Sequence, residues 1–140
     1  MKRFPKLKSA HFYHVFNRGV SKRKIFINEK DYRFFMFKIA AYKKQYSINI
    51  KKYCIMPTHF HLLLITNDDP NKISVFMKNL QMSYARYFNR TYVHSGHVFQ
   101  SKFVNKAIEI IDLSILIRYI EQNPVRDGYV KNPEEWPYRG

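Results

Sequence analysis

The chain has 140 residues, 46% hydrophobic and 17% aromatic with only 4 glycines, which is one domain's length with apolar mass for a core and excludes a low-complexity or linker-rich polypeptide. A formal net charge of +15, from 25 Lys and Arg against 10 Asp and Glu, belongs to polyanion-binding proteins and points to nucleic acid more than to a merely solvated lysine-rich face. The lone Cys54 excludes an intrachain disulfide, no apolar run nears the ~20 residues of a membrane span, and the basic N-terminus lacks the apolar block of a secretory signal, so the expected setting is the reducing cytoplasm.

Basic residues are spread along the chain, with clusters at residues 1–8 and at Lys22-Arg-Lys24. That spread favours a folded basic surface over a disordered tail. Residues 11–18 are aromatic and β-branched and read as a first strand, ended by Gly19 and followed by a basic loop at 20–24. His11 and His14 differ in parity, so they cannot share a strand face as a metal pair. Asn28 is a helix N-cap with Asp31 near N3 as its capping partner. Tyr32, Phe35, Met36, Ile39, Tyr42 and Tyr46 then recur at helical spacing and predict a first helix over roughly 29–45 with an aromatic core stripe.

Residues 47–56 read as a second strand through Ile48, Ile50, Tyr53 and Ile55, with Cys54 as a small buried hydrophobe rather than a nucleophile. Pro57-Thr58 breaks it, because proline has no N–H for a ladder. A third strand, residues 59–65, follows at once. The two form a hairpin, which places the third strand inside the sheet. Period-2 alternation puts His59 and His61 on one face and Phe60, Leu62 and Leu64 on the other, the core side. Two neighbouring neutral imidazoles suit a divalent metal, although histidines at that spacing are more often simply hydrogen-bonded or solvated.

Within Asn67-Asp-Asp-Pro70, Asp69 caps a second helix and Pro70 takes its first position. Ile73, Phe76, Met77, Leu80, Tyr84 and Tyr87 mark its apolar face as far as Arg90. Residues 91–100 are irregular, and His94, Gly96 and His97 read as a turn rather than a second metal site. Residues 101–108 alternate as a fourth strand. Asp112 caps a third helix over 113–123, which Pro124 ends. At 100° per residue, Leu116, Ile117 and Ile120 fall within about 60° of Leu113 and form a buried stripe; Tyr119 at about 240° and Asn123 at about 280° share one edge of it, and Gln122 at about 180° lies opposite. Tyr119 and Asn123 are thus an i, i+4 pair where a helix packed on a sheet meets the sheet surface. Residues 125–140, with Trp136, are expected to wrap the surface without regular structure. The order is βαββαβα: one α+β domain over 1–140, core about 10–130, with a ferredoxin-like antiparallel sheet.

Three motifs in order carry a resemblance: Met56-Pro-Thr-His-Phe-His-Leu-Leu-Leu64, Ser95-Gly-His-Val-Phe-Gln-Ser-Lys102 and Arg118-Tyr-Ile-Glu-Gln-Asn-Pro-Val-Arg126. Together they resemble the HUH single-tyrosine transposases, in the REP-associated tyrosine transposase branch related to IS200-like enzymes. The resemblance implies that His59, His61 and Asn123 hold a divalent cation, Mg²⁺ or Mn²⁺, and that Tyr119 attacks a DNA phosphate. Many IS200-like relatives carry glutamine at the third ligand position, which keeps the adjacent Gln122 as the alternative. The resemblance further implies single-stranded, hairpin or palindromic DNA as substrate, a 5′-phosphotyrosine intermediate, and action as a monomer or a homodimer. Glu135-Trp-Pro-Tyr138 only loosely resembles the family's usual ending.

Phenols are weak nucleophiles at neutral pH, so a cation polarising the phosphate would help. Two imidazoles and one amide suit Mn²⁺ well and Mg²⁺ acceptably, while a closed structural Zn²⁺ would want a fourth ligand. The candidate DNA contacts are Arg18, Lys22, Arg23, Lys24, Lys78, Arg86, Arg90, Lys102 and Arg126, for which a solvated face is the plain alternative. An aromatic sheet ringed by such residues can stack bases and track phosphates. Three other functions compete: a non-catalytic single-stranded nucleic-acid-binding module, a domesticated relative without activity, and a nickase of the relaxase or replication-initiator type. The chain lacks the aromatic motif typical of sheet-based RNA binders.

Overall fold

Alternation along the histidine-bearing strand sets the layering. The computed structural model describes residues 11–66 and 69–140; the basic cluster at 1–8 and the Asn67-Asp68 part of the second helix start lie outside them. Among the described residues the order is β1 (His11–Arg18), α1 (Glu29–Gln45), β2 (Asn49–Ile55), β3 (His59–Thr66), α2 (Asn71–Thr91), β4 (Val104–Ile108), α3 (Leu113–Glu121) and a one-turn α4 (Asn123–Arg126). The strands pair in the order β2-β3-β1-β4, and each neighbouring pair is antiparallel. This is the ferredoxin-like α+β arrangement. Each helix crossover skips one strand position, which puts α1 and α2 together on one sheet face.

That face is the main core. Tyr13 and Val15 of β1 and Phe60, Leu62 and Leu64 of β3 are fully buried, beneath Phe35 and Ile39 of α1 and Phe76, Leu80 and Tyr84 of α2. The first helix begins and ends where its local signals place it. The Asp31 carboxylate accepts the backbone N–H groups of Ile27 at 2.8 Å and Asn28 at 3.0 Å. It also accepts the Tyr87 hydroxyl at 2.8 Å and the Tyr92 hydroxyl. Four donors therefore satisfy a carboxyl group with no solvent exposure, the condition for keeping such a group buried.

The opposite face is covered over its β2–β3 half by α3. Ile120 packs on Cys54, Met56 and Leu63, with Leu113, Leu116, Ile117 and Trp136 at the margin. Lys52 Nζ lies 2.7 Å from Glu121 Oε1 and ties the helix to β2. Burial pushes the Cys54 thiol up to about 12, so it packs as a small hydrophobe. No described helix is long and apolar enough to cross a membrane.

The second strand is shorter than read, Asn49–Ile55 against 47–56, and the third runs one residue further, to Thr66; four larger differences each have a physical reason. The second helix starts at Asn71, so Pro70 and not Asp69 is its N-cap residue and Pro70 does not take the first helical position; Asp69 Oδ1, one residue further out, accepts the Asn71 N–H at 3.0 Å. The fourth strand starts at Val104 instead of 101, because the Ser101 and Lys102 carbonyls accept from Asn17 Nδ2 at 2.8 and 3.2 Å. The third helix ends at Glu121 instead of 123. Pro124 has no N–H for the Ile120 carbonyl, and Asn123 Nδ2 reaches that carbonyl at 3.5 Å before α4 resumes. The tail is ordered against β2, not merely wrapped: Tyr53 and Gly140 exchange hydrogen bonds of 2.9 and 3.1 Å, and the Ile55 N–H donates to Tyr138 O at 2.9 Å. An edge strand offers unpaired backbone groups, and here the chain's own tail takes them.

Candidate functional site

The half of the second face that α3 leaves open is a cleft of about 700 Å³ over β1, β3 and β4. Its floor follows from the register. Arg18 lies opposite His59 and Phe16 opposite His61 in the β1–β3 ladder, so all four side chains leave on the cleft face. Tyr119 overhangs the floor from α3, and Asn123 from the start of α4. The helix break at Gln122 does not separate them, because the chain stays in helical backbone geometry through it (φ −83°, ψ −4°). Tyr119 is 47% exposed and Asn123 3% exposed.

Each imidazole is oriented by its other nitrogen. His59 Nδ1 lies 2.9 Å from Thr58 Oγ1, and its Nε2 lies 3.4 Å from Asn123 Oδ1. His61 Nδ1 lies 2.9 Å from His14 Nε2. The His61 ring stands perpendicular to Tyr119 at 5.9 Å and to His59 at 5.2 Å between centroids. Burial is the largest influence on all three rings and lowers their pKa values: His61 to about 2, His14 to about 4, and His59 downward against the opposing Asn123 hydrogen bond. Neighbouring positive charge adds to this, Lys106 at His14 and Arg126 at His61. Neutral imidazole is the metal-ligating form. Among the described residues no group of three or more His, Cys, Asp or Glu could hold a metal; the candidate donors are two imidazoles and the Asn123 amide oxygen.

Comparison with known proteins gives the family and the fold. The family model for IS200-like transposases matches residues 7–123. The chain belongs to that family. It is 34% identical over 113 residues to a Haemophilus influenzae protein assigned as a REP-associated tyrosine transposase, an alignment taking in 71% of this chain but only 64% of that relative's length. The solved structure of a REP-associated tyrosine transposase bound to a REP hairpin superposes with a TM-score of 0.70 at 18% identity, over 99% of this chain and 82% of that one. A Deinococcus radiodurans R1 protein described as a transposase gives 0.58 at 19% identity, over 87% of this chain and 97% of the other. At these identities the structural likeness is one of fold.

The remaining candidate residues of this IS200-like chain divide by layer. Arg18, Lys22 and Arg126 line the cleft, with Asp127 as the acidic side chain among its lining. Lys22 is presented by a tight turn in which Ser21 and Lys22 both have positive φ, 55° and 59°, a backbone region uncommon for non-glycine residues. The Arg126 guanidinium lies 4.1 Å from the Tyr119 ring centroid, and its Nη1 donates to the Tyr119 carbonyl at 3.2 Å. Arg23 and Lys24 are exposed on the same loop without lining the cleft, and Arg23 is hydrogen-bonded to His94. Lys102 is exposed next to the cleft-lining Ser101. Lys78, Arg86 and Arg90 are exposed on α2, which packs on the other sheet face, so they do not join the cleft. Gln122 is half-buried and does not line it. His94 Nδ1 bonds Asn89 Oδ1 at 2.6 Å within its own turn.

Sequence reasoning missed His14, Thr58 and Asn17. Thr58 was legible as the neighbour of His59. His14 was not, because its contact with His61 exists only through the β1–β3 register.

Proposed function

We propose that the protein is a metal-dependent single-stranded DNA endonuclease and strand transferase acting on hairpin or palindromic DNA. Tyr119 is the nucleophile, and His59, His61 and Asn123 are the cation ligands. The observation that carries this reading is the convergence of His59 Nε2 and Asn123 Oδ1, 3.4 Å apart, with the His61 and Tyr119 rings in one basic cleft. The donor set fits a cation. His59 and His61 each have Nδ1 engaged by a neighbouring side chain, which leaves Nε2 of each as the nitrogen a cation would take; at His59 the cation would replace the 3.4 Å contact with Asn123 Oδ1. A bound Mg²⁺ or Mn²⁺ would polarise the scissile phosphate and offset the charge that develops on its oxygens.

The chain's own residues supply the rest. Half-exposed Tyr119 is reachable by a strand lying in the cleft. Arg18 and Lys22 can take flanking phosphates. Attack of the phenol oxygen on phosphorus forms the tyrosine–phosphate bond and breaks the bond to the 3′ oxygen. The phenol proton is lost and the departing strand ends as a 3′-hydroxyl. A second 3′-hydroxyl can reverse the step and rejoin strands, with no water or ATP consumed. The related structure that holds a REP hairpin supports hairpin DNA as the substrate class.

The test compares wild type with Tyr119→Phe on 5′- and 3′-labelled single-stranded hairpins, with Mn²⁺ or EDTA. A Mn²⁺-dependent covalent protein–DNA adduct, lost in the variant, is expected. Tight binding with no adduct on a broad hairpin set would leave a binding module in place of an enzyme.

A further inference from the structure

His14 is used by nothing described above except its neighbour. It sits on β1, 7% exposed, with its ring stacked on His61 at 5.1 Å and 21° between planes. Its Nε2 is 2.9 Å from His61 Nδ1. Two neutral imidazoles facing each other nitrogen to nitrogen can form a hydrogen bond in only two ways, since one nitrogen must carry the proton and the other the lone pair. If His14 Nε2 donates, His61 Nδ1 is the acceptor and the His61 proton sits on Nε2. The cleft-side nitrogen then has no lone pair to offer. If His61 Nδ1 donates, His14 Nε2 accepts and His61 Nε2 is bare.

We propose that His14 is a positioning residue that accepts the His61 Nδ1–H and so holds His61 in the tautomer whose Nε2 can ligate a cation. The inference rests on the metal reading of His59, His61 and Asn123. A carboxylate or carbonyl usually plays this part beside a metal-binding histidine. In a sheet the backbone groups of paired strands are taken up by the ladder, and here a side chain on the neighbouring strand meets His61 Nδ1. His14 stands one diagonal step from His61, since its own partner in the register is Leu63. Diagonal neighbours on paired strands lie within reach of ring side chains. The stacking also fixes the His61 ring plane. Phe16 is tilted against both rings, at 4.7 Å from His14 and 5.5 Å from His61.

Two measurements test this. The first is the ¹⁵N tautomer of His61 in metal-free wild-type protein at neutral pH, read from long-range ¹H–¹⁵N correlation spectra. Protonated Nδ1 with a pyridine-type Nε2 is expected; a proton on Nε2 overturns the inference even if no variant folds. The second is Mn²⁺ affinity by calorimetry, without DNA, for wild type, His14→Leu, His14→Gln and His61→Ala. Glutamine can present an acceptor oxygen where His14 Nε2 stands, and leucine cannot. His14→Leu should bind Mn²⁺ about 10–100-fold more weakly, His14→Gln should stay near wild type, and His61→Ala should lose binding. Wild-type affinity in His14→Leu overturns the positioning role alone. Absence of Mn²⁺ binding by wild type, or unchanged affinity in His61→Ala, removes the metal reading and this inference with it.

Discussion

At the residue scale the open sheet face concentrates buried bases. An unfolded histidine titrates near 6.5, whereas folded His14 is lowered to about 4 and His61 to about 2. Between those values the unfolded chain binds protons that the folded chain does not, so stability rises with pH across the window. Above about 6.5 both states are neutral at these groups and no further change comes from them. Thermal unfolding followed by circular dichroism should therefore show Tm falling as pH drops from about 6.5 towards 4, with His14→Gln flattening the slope; equal slopes would mean that burial does not hold the ring neutral. The third ligand is also decided residue by residue. Asn123→Ala should weaken Mn²⁺ binding roughly tenfold or more, as loss of a ligand oxygen should. Gln122→Ala, outside the cleft, should leave it unchanged, and the reverse pattern would move the ligand by one position.

At the element scale, the turn after β1 is built against a hard limit. A Cβ at Gly19 would lie 2.5 Å from the Arg23 carbonyl oxygen and 2.8 Å from Ile25 Cγ2. Ile25 cannot withdraw easily, because its N–H is bonded to Pro57 O at 2.8 Å and its side chain is fully buried. Gly19→Ala should destabilise by about 1–3 kcal/mol, the range for overpacking, read as a lower urea midpoint. It should also weaken single-stranded DNA binding, because the displaced turn carries Lys22. An unchanged midpoint would show that the turn relaxes freely. The same scale explains why α1 was predicted to the residue and α3 was not. Asn28, Asp31 and the aromatic stripe are local signals, whereas the end of α3 depends on how Asn123 and Pro124 share the Ile120 carbonyl.

The whole chain carries a net charge of +15, and among the described residues Arg18, Lys22 and Arg126 line the cleft while Lys78, Arg86 and Arg90 lie on the α2 layer. Binding of a single strand should weaken with salt, by a slope of roughly 0.7 in log K per neutralised phosphate. Arg18→Gln with Lys22→Gln, both in the cleft, should reduce the slope by roughly 1.4. Lys78→Gln with Arg86→Gln, on the α2 layer, should leave it in place. Equal reductions from both pairs, measured by fluorescence anisotropy over a salt series, would mean that DNA wraps both faces.

What the sequence alone determined is what period 2 and period 3.6 can carry: four strands and three long helices in order, the core side of β3, the common face of His59 and His61, and the nearness of Tyr119 to Asn123. These are short-range facts, set within a few residues of backbone geometry. The β2–β3 hairpin was also legible, because its two strands are joined by a short break; tertiary structure decided the β1–β3 register. That register brought His14 to His61 across 47 residues, and the packing of α2 on the other sheet face set Lys78, Arg86 and Arg90 away from the cleft. Strand register is a long-range hydrogen-bond ladder, fixed by burying one face of every strand at once, and no local window of sequence contains it.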